Sequence, residues 1–406
     1  MQAGLRRHRL DGSRVVRHCS AWIALILVAF LAGCGSRPEP ALRLADPASA
    51  TDAAVPVELF SITTRRAAED EGLRFSGERA IGPQFARMQI SIPKDRPPGE
   101  IQWPQAGRAD PGAHFAAIAF EKLDRARFGE RLAARIRQKR THHVLVFVHG
   151  YNTRFDEATF RLAQIVHDSG ADVVPVLFSW ASWASLGAYP YDRESAALAR
   201  DGLEDLLSKL AHAPQVQQVS VLAHSMGGWL TLETLRQMVI RNGAVPGKIG
   251  NVMLASPDVD IDLAAAQGRI LMQAQRRPKI TLFVSTDDKA LSASRWLWGS
   301  RDRLGSINPS VEPYKSGLEK AGVTVIDLSA VSSGDPLNHG KFAQSPAVVQ
   351  LIGRRLATGQ VLDGEASGAG AIATIVQGTA RAAETVLTLP LRLGETPGPQ
   401  AGSLSD

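Results

Sequence analysis

Short apolar runs and amphipathic stretches alternate along most of this 406-residue chain. Val57 to Ile62 alternates apolar and polar positions as a half-buried strand does, and Phe85 to Ile92 alternates again until Pro93 stops it. From Glu121 to Arg140 the period is helical. Acids stand at the start (Glu121, Asp124) and bases at the end (Arg135, Arg137, Lys139, Arg140), a polarity that suits a helix dipole. After residue 142 the pattern changes to continuous apolar runs. Val144 to Val148, Val173 to Phe178, Val219 to Ala223, Val252 to Ala255, Ile280 to Val284 and Val323 to Leu328 read as buried strands. Helical spacing separates them: Phe155 to Val166, Ser195 to Leu210, Met226 to Ile240 and, last, Pro346 to Leu356. Strands of this kind, separated by helices, predict an α/β fold whose mostly parallel sheet is covered on both faces.

The two ends read differently. Residues 35–55 are rich in Ala and Pro without an apolar period, which predicts a tether over 34–56 ahead of a domain over 57–357. Residues 358–406 turn to Gly, Ala and Thr, with a helix expected around Ile372 to Leu387. Gly368-Ala369-Gly370-Ala371-Ile372-Ala373 matches a loose dinucleotide-binding pattern, but no strand leads into it and no βαβ unit surrounds it. Neither a phosphate-cradling loop nor paired Cys or His metal spacing is present, so no cofactor and no metal are expected.

Composition narrows the class. Apolar residues make up 44% and charged residues 21%, enough apolar surface for a sizeable core. The net charge of +6 is mostly N-terminal: Arg6, Arg7, Arg9, Arg14 and Arg17 against Asp11 leave the remainder near +2. Nucleic-acid binding by a basic domain loses its support.

That basic stretch runs into Ala21 to Ala32, twelve apolar residues in a row. A bilayer-spanning helix needs about 20, so the run suits the apolar core of a secretory signal instead. Leu31-Ala32-Gly33-Cys34 then resembles the lipobox of bacterial lipoproteins. The resemblance implies cleavage after residue 33, a lipid on Cys34 that anchors the protein to a membrane, and a place in the cell envelope. Gly35 is not the aspartate that resembles an inner-membrane retention signal, which favours the outer membrane, facing the periplasm. Cys19 and Cys34 are the only cysteines, so the mature chain would have no thiol left to pair.

The segment that carries chemistry is Ser220-Val221-Leu222-Ala223-His224-Ser225-Met226-Gly227-Gly228. It sets Ser225 between a buried strand and a helix with small residues on both sides, as a nucleophile elbow requires. Ala223 stands where the first glycine is usual. The backbone N–H of Met226, at the helix start, could stabilise an oxyanion. A second donor is expected from the turn His149-Gly150-Tyr151-Asn152, at the N–H of Tyr151, with His149 itself structural. A serine needs a base, and in this arrangement the chain order is Ser, acid, His. Of ten histidines only His339 follows Ser225. Asp288, after the Ile280 to Val284 strand, is the expected acid, with Asp258 and Asp260, after the preceding strand, as the alternatives. Asp287 is expected to point away and cap the next helix, while Asp258 and Asp260 brace their own loop.

Residues from about 57 to 345 resemble a bacterial α/β-hydrolase family of unknown function, esterase/lipase-like. The stretches that carry the resemblance are Phe147 to Asn152, Phe178-Ser179-Trp180 with Tyr191-Asp192, Ala223 to Gly227, Ala255 to Asp260, Asp288 to Leu291, and Gly322 to Ser329 ahead of His339. Ala181 departs from it, since the family more often has Pro there. The aromatic segment Trp180 to Tyr191 could line an acyl pocket or simply pack. The expected function is a serine hydrolase that cleaves an acyl ester of a small molecule or lipid. A tethered, non-catalytic binding protein and an acyltransferase are the alternatives.

Overall fold

The computed structural model describes residues 37–46, 52–104, 109–298 and 301–357, together with the strand Ile372–Thr374. Two compact units divide the chain, Met1–Glu39 and Pro40–Asp406. The expected signal segment and Cys34 lie outside the described residues, as does most of the C-terminal tail.

Among the described residues ten strands build one sheet. They are β1 (Ala54–Ala67), β2 (Phe75–Pro93), β3 (Ala116–Leu123), β4 (His143–Val148), β5 (Val174–Ser179), β6 (Gln218–His224), β7 (Ile249–Ala255), β8 (Lys279–Val284), β9 (Thr324–Asp327) and β10 (Ile372–Thr374). The spatial order is β10-β9-β8-β7-β6-β4-β5-β1-β2-β3. Every pair from β10 to β1 is parallel, and β1–β2 and β2–β3 are antiparallel. The helices are α1 (Arg125–Gln138), α2 (Phe155–Ser169), α3 (Tyr189–His212), α4 (Met226–Asn242), α5 (Ile261–Gln273), α6 (Lys289–Trp298), α7 (Tyr314–Ala321), α8 (Lys341–Gln344) and α9 (Pro346–Ala357). No helix among the described residues is long and apolar enough to cross a membrane.

The two-residue period of a strand divides the core. Val144, Val146 and Val148 face one apolar layer with Val221 and Val252, under α1, α3 and α4. Leu145 and Phe147 face the other with Leu222 and Met253, under α2 and α9. Burying each such side chain contributes about 1.5–3 kcal/mol, which is why these strands read as unbroken apolar runs.

Several expectations need correcting. The helical pattern from Glu121 belongs partly to β3, where Glu121 pairs with Arg87 across the strands and forms an ion pair at 3.6 Å. The helix starts only at Arg125, with Asp124 as its cap, accepting from the N–H of Arg127 at 2.8 Å. Part of the expected tether is packed: Ala41 and Leu42 are buried in the second apolar layer, and the Ala41 N–H donates to Asp156 Oδ2 at 3.2 Å. α3 begins at Tyr189 rather than Ser195, because Pro190 is well suited to a first turn. Where a helix was expected from Ile372, Ile372–Thr374 is a strand alongside Val325–Asp327.

The strand order sets up the site. From β4 the chain crosses to β5 on one side and then returns past β4 to β6 on the other. The loops after β4 and β6 therefore meet at the carboxyl edge of the sheet, where open α/β sheets bind their ligands.

Candidate active site

Ser225 sits at the turn from β6 into α4 with φ 53° and ψ −123°, a backbone conformation that side-chain-bearing residues rarely adopt. The surroundings hold it there. The Ser225 N–H donates to Ala255 O at 2.9 Å, and Ser225 O accepts from Gly228 N–H at 2.9 Å and Asp258 N–H at 3.1 Å. Two glycines make the close approach possible. A Cβ on Gly227 would lie 2.4 Å from His149 O, and one on Gly150 would lie 2.8 Å from Ser225 Cβ. Ala223 is accommodated because its methyl faces the apolar layer under α4 rather than the turn.

His339 lies in the loop between β9 and α8. Its Nδ1–H donates to Asp288 Oδ2 at 2.7 Å, which leaves Nε2 with its lone pair. Burial disfavours the imidazolium, but the charge of Asp288, helped by Asp258 and Asp335, outweighs it and raises the His339 pKa above its ordinary value of 6.5. Asp288 is fully buried, and its Oδ1 accepts from Leu291 N–H at 2.9 Å. Asp288 thus caps α6, the role expected of Asp287. The Asp287 carboxylate turns instead to Lys341 Nζ at 2.7 Å and Asn338 Nδ2 at 2.9 Å.

Asp258 does not touch His339. Its Oδ2 accepts from Tyr189 Oη and its Oδ1 from Ser294 Oγ, each at 2.9 Å. Asp260 caps α5. Among the described residues no hydrogen bond joins Ser225 Oγ to His339. The link runs through His224, whose Nε2–H donates to His339 O at 3.2 Å and whose ring lies 4.6 Å from the His339 ring.

The loop after β4 is fixed from below. His149 is buried, with Nδ1 donating to Gly150 O at 2.8 Å and its ring stacked 4.8 Å from Trp180. Burial, with the charge of Arg65, pulls the His149 pKa down to about 3, so the ring stays neutral. Trp180 therefore packs rather than lining a pocket, and Ala181 beside it is buried. Further along, Trp183 and Leu186 are exposed, and the Tyr151 hydroxyl donates to Leu186 O. Burial, seconded by the charge of Asp192, pushes the Tyr151 phenol up to about 12.

Sequence reasoning missed several residues that shape these loops. The buried Asp192 carboxylate accepts from Asn152 N–H at 3.1 Å, Ser182 Oγ at 2.6 Å and Trp183 N–H at 2.7 Å. The buried Arg65 guanidinium reaches Ser179 Oγ at 2.8 Å, Ser182 O at 2.9 Å and Thr153 O at 2.6 Å. Burial draws its pKa down to about 10 against the pull of Asp192 and Asp156. Asp335 accepts from the N–H groups of Leu337 at 2.9 Å and of His339 and Gly340 at 2.7 Å each. Asp335 had a signal, an Asp-Pro step at the head of a polar loop. Arg65 had only its charge within an apolar strand. Among the described residues no cluster of His, Cys, Asp or Glu could hold a metal.

Solved structures that overlap the chain include carboxyl esterase 2 from the mycorrhizal fungus Tuber melanosporum, with 14% identity over 83% of this chain and 98% of that one, TM-score 0.38. An esterase from Pyrobaculum calidifontis overlaps with 16% identity over 86% and 94% of the two chains, TM-score 0.33. Overlaps this loose assign no substrate. No curated protein is found to match the chain in sequence. Residues 124–355 match the family described as alpha/beta hydrolase of unknown function (DUF900). That match takes in more than half of the chain and runs from the cap of α1 into α9, across the Ser225 turn, Asp288 and His339, and the protein is accordingly a member of that α/β-hydrolase family.

Proposed function

We propose that the protein is a serine hydrolase that cleaves an ester or related acyl bond through an acyl-enzyme. The observation that carries this reading is the 2.7 Å hydrogen bond from His339 Nδ1 to the buried Asp288, in a loop held by the neighbour of Ser225. A pure binding protein has no physical use for a buried carboxylate that fixes an imidazole tautomer beside a strained serine turn.

In this reading the Ser225 hydroxyl attacks the acyl carbon and its proton passes to His339 Nε2. Asp288 holds the ring and stabilises the imidazolium. The carbonyl oxygen becomes an oxyanion facing the N–H groups of Met226 and Tyr151. Met226 is suited to this because the first residue of a helix has no intrahelical acceptor for its N–H. The imidazolium then protonates the departing alcohol, leaving the acyl group on Ser225. Water, deprotonated by His339, attacks that ester, releases the acid and restores the serine. The substrate class is an acyl ester of a small molecule or lipid. With Cys34 lipidated, the work would be done at the cell envelope.

Labelling by a fluorophosphonate probe tests the reading. A covalent adduct on Ser225, followed by turnover of one member of a graded series of acyl esters, is expected. Absence of labelling in folded protein would overturn it.

A further inference from the structure

Lys341 is among the largest fully buried side chains of the protein, and it is a lysine. Its ammonium lies 2.7 and 2.8 Å from the two oxygens of Asp287, 3.1 Å from Ser285 Oγ, 3.1 Å from Leu328 O and 3.4 Å from Ser329 O. Removing an ammonium from water is expensive, and a well-packed apolar side chain would usually serve stability as well or better. What an apolar side chain could not do is bind three segments at one point. Ser285 and Asp287 belong to the loop that ends in Asp288. Leu328 and Ser329 open the loop that leads to His339. Lys341 itself follows His339 by two residues.

A second strut runs parallel to the first. Asn338 Nδ2 donates to Asp287 Oδ2 at 2.9 Å, so the residue before His339 is tied to the residue before Asp288. Each partner of the His339–Asp288 hydrogen bond is thus flanked by a neighbour joined to the same ammonium-centred cluster.

We infer that Lys341 is a positioning residue: its buried ammonium, clamped by Asp287 and Ser285, fastens the acid loop to the histidine loop and sets the His339–Asp288 alignment. Lys341 touches neither reacting atoms nor substrate. Its effect on catalysis rests on the serine-hydrolase reading; its effect on the alignment does not.

Two readouts separate positioning from bare structural support. The first is the rate of fluorophosphonate labelling at pH 8. The second is the low-field proton resonance of the His339 Nδ1–H, identified by its absence from His339→Gln. In Lys341→Met, shown to be folded by circular dichroism, labelling slows by about tenfold to a hundredfold, as ångström-scale misplacement does, while ester KM stays nearly unchanged. The resonance broadens or disappears. Should Lys341→Met fail to fold, Asp287→Ala and Ser285→Ala remove the clamp from the other side and are judged by the same readouts. A folded variant with wild-type labelling and an intact resonance overturns the inference. Wild-type protein that resists the probe overturns the hydrolase reading instead, and loss of the resonance in Lys341→Met still decides the clamp.

Discussion

The Nε2–H of His224 donates to the backbone carbonyl of His339 across 3.2 Å, so the residue next to Ser225 supports the very residue assigned as its base. The His224 ring also stacks 4.7 Å from Phe342, which follows the same loop. Replacing His224 by Phe keeps the ring packing and removes the donor. Turnover is expected to drop by roughly tenfold, and stability by about 1 kcal/mol, the net worth of one hydrogen bond. Kinetics paired with chemical denaturation would check this, and an unchanged rate would show the carbonyl contact to be dispensable.

Ser225→Ala should abolish probe labelling and lower ester turnover by about 10⁴-fold or more while the fold persists. Ser225→Gly should be equally inactive yet more stable, by on the order of 1 kcal/mol, because glycine adopts a φ of 53° without strain. Denaturation midpoints of the two variants make the comparison. A glycine variant less stable than the alanine one would argue against strain at the turn.

Asp288→Asn and Asp258→Asn should fail in different ways. The first keeps the fold but favours the wrong histidine tautomer, with a loss of about 10⁴-fold in kcat. The second weakens the contacts to Tyr189, Ser294 and Arg303 and shows mainly as lost stability. A crippled Asp258→Asn beside a nearly normal Asp288→Asn would move the acid one strand earlier.

Because catalysis needs neutral His339 and its pKa is raised, activity should fall on acidification through a midpoint above 6.5 rather than below it. A pH profile of labelling rate reads this directly. Asp288→Asn, with the carboxylate charge gone, should move the midpoint down.

Stability should have its own acid limb. Burial lowers the pKa of His143 to about 4 and of His149 to about 3, and that of His224 in the same direction, all from 6.5. Unfolding lets these rings take up protons, so stability is lost as pH falls below 6.5, by on the order of 2 kcal/mol each for His143 and His149 by pH 5, with His224 adding in the same direction. Urea titrations at pH 7 and pH 5 would measure the loss, and equal midpoints would contradict it. His143→Gln should lessen the slope.

Envelope attachment is tested at Cys34. Wild-type protein is expected to begin at Cys34 and partition into detergent, and Cys34→Ser to be released or mislocalised. Finding residues 1–33 on the mature chain would exclude lipidation there.

The sheet was legible because buried parallel strands have no alternative to continuous apolar runs, and β4 to β9 all announce themselves that way. Helices that bury little were not. No residue of α7 is fully buried, and α5 buries only Gln267 and Leu271; the apolar residues they turn to the core, among them Leu318, Ile261, Leu263 and Ile270, are only partly covered. On α6, Trp296 and Leu297 are exposed, which runs against the expected pattern. At the site, the small residues around the strand-to-helix turn singled out Ser225, and chain order then singled out His339, since only one histidine follows it. Arg65, Asp192 and Lys341 act through contacts with other segments, which no local spacing encodes, whereas Asp335 binds the N–H groups of its own loop.

Arg65 unites segments far apart in sequence: its guanidinium bonds residues of the loops after β4 and β5 and, at 3.2 Å, Ser76 O on β2. A loop tied in this way has no cheap local opening, because freeing Thr153 or Ser182 takes an acceptor from a buried cation. The turn that carries Tyr151 should therefore share the fate of the sheet, closed as long as the domain is folded and lost only with it. Substrate would then meet a rigid floor, and whatever adapts to its shape must come from the exposed side, where Trp183 and Leu186 face solvent.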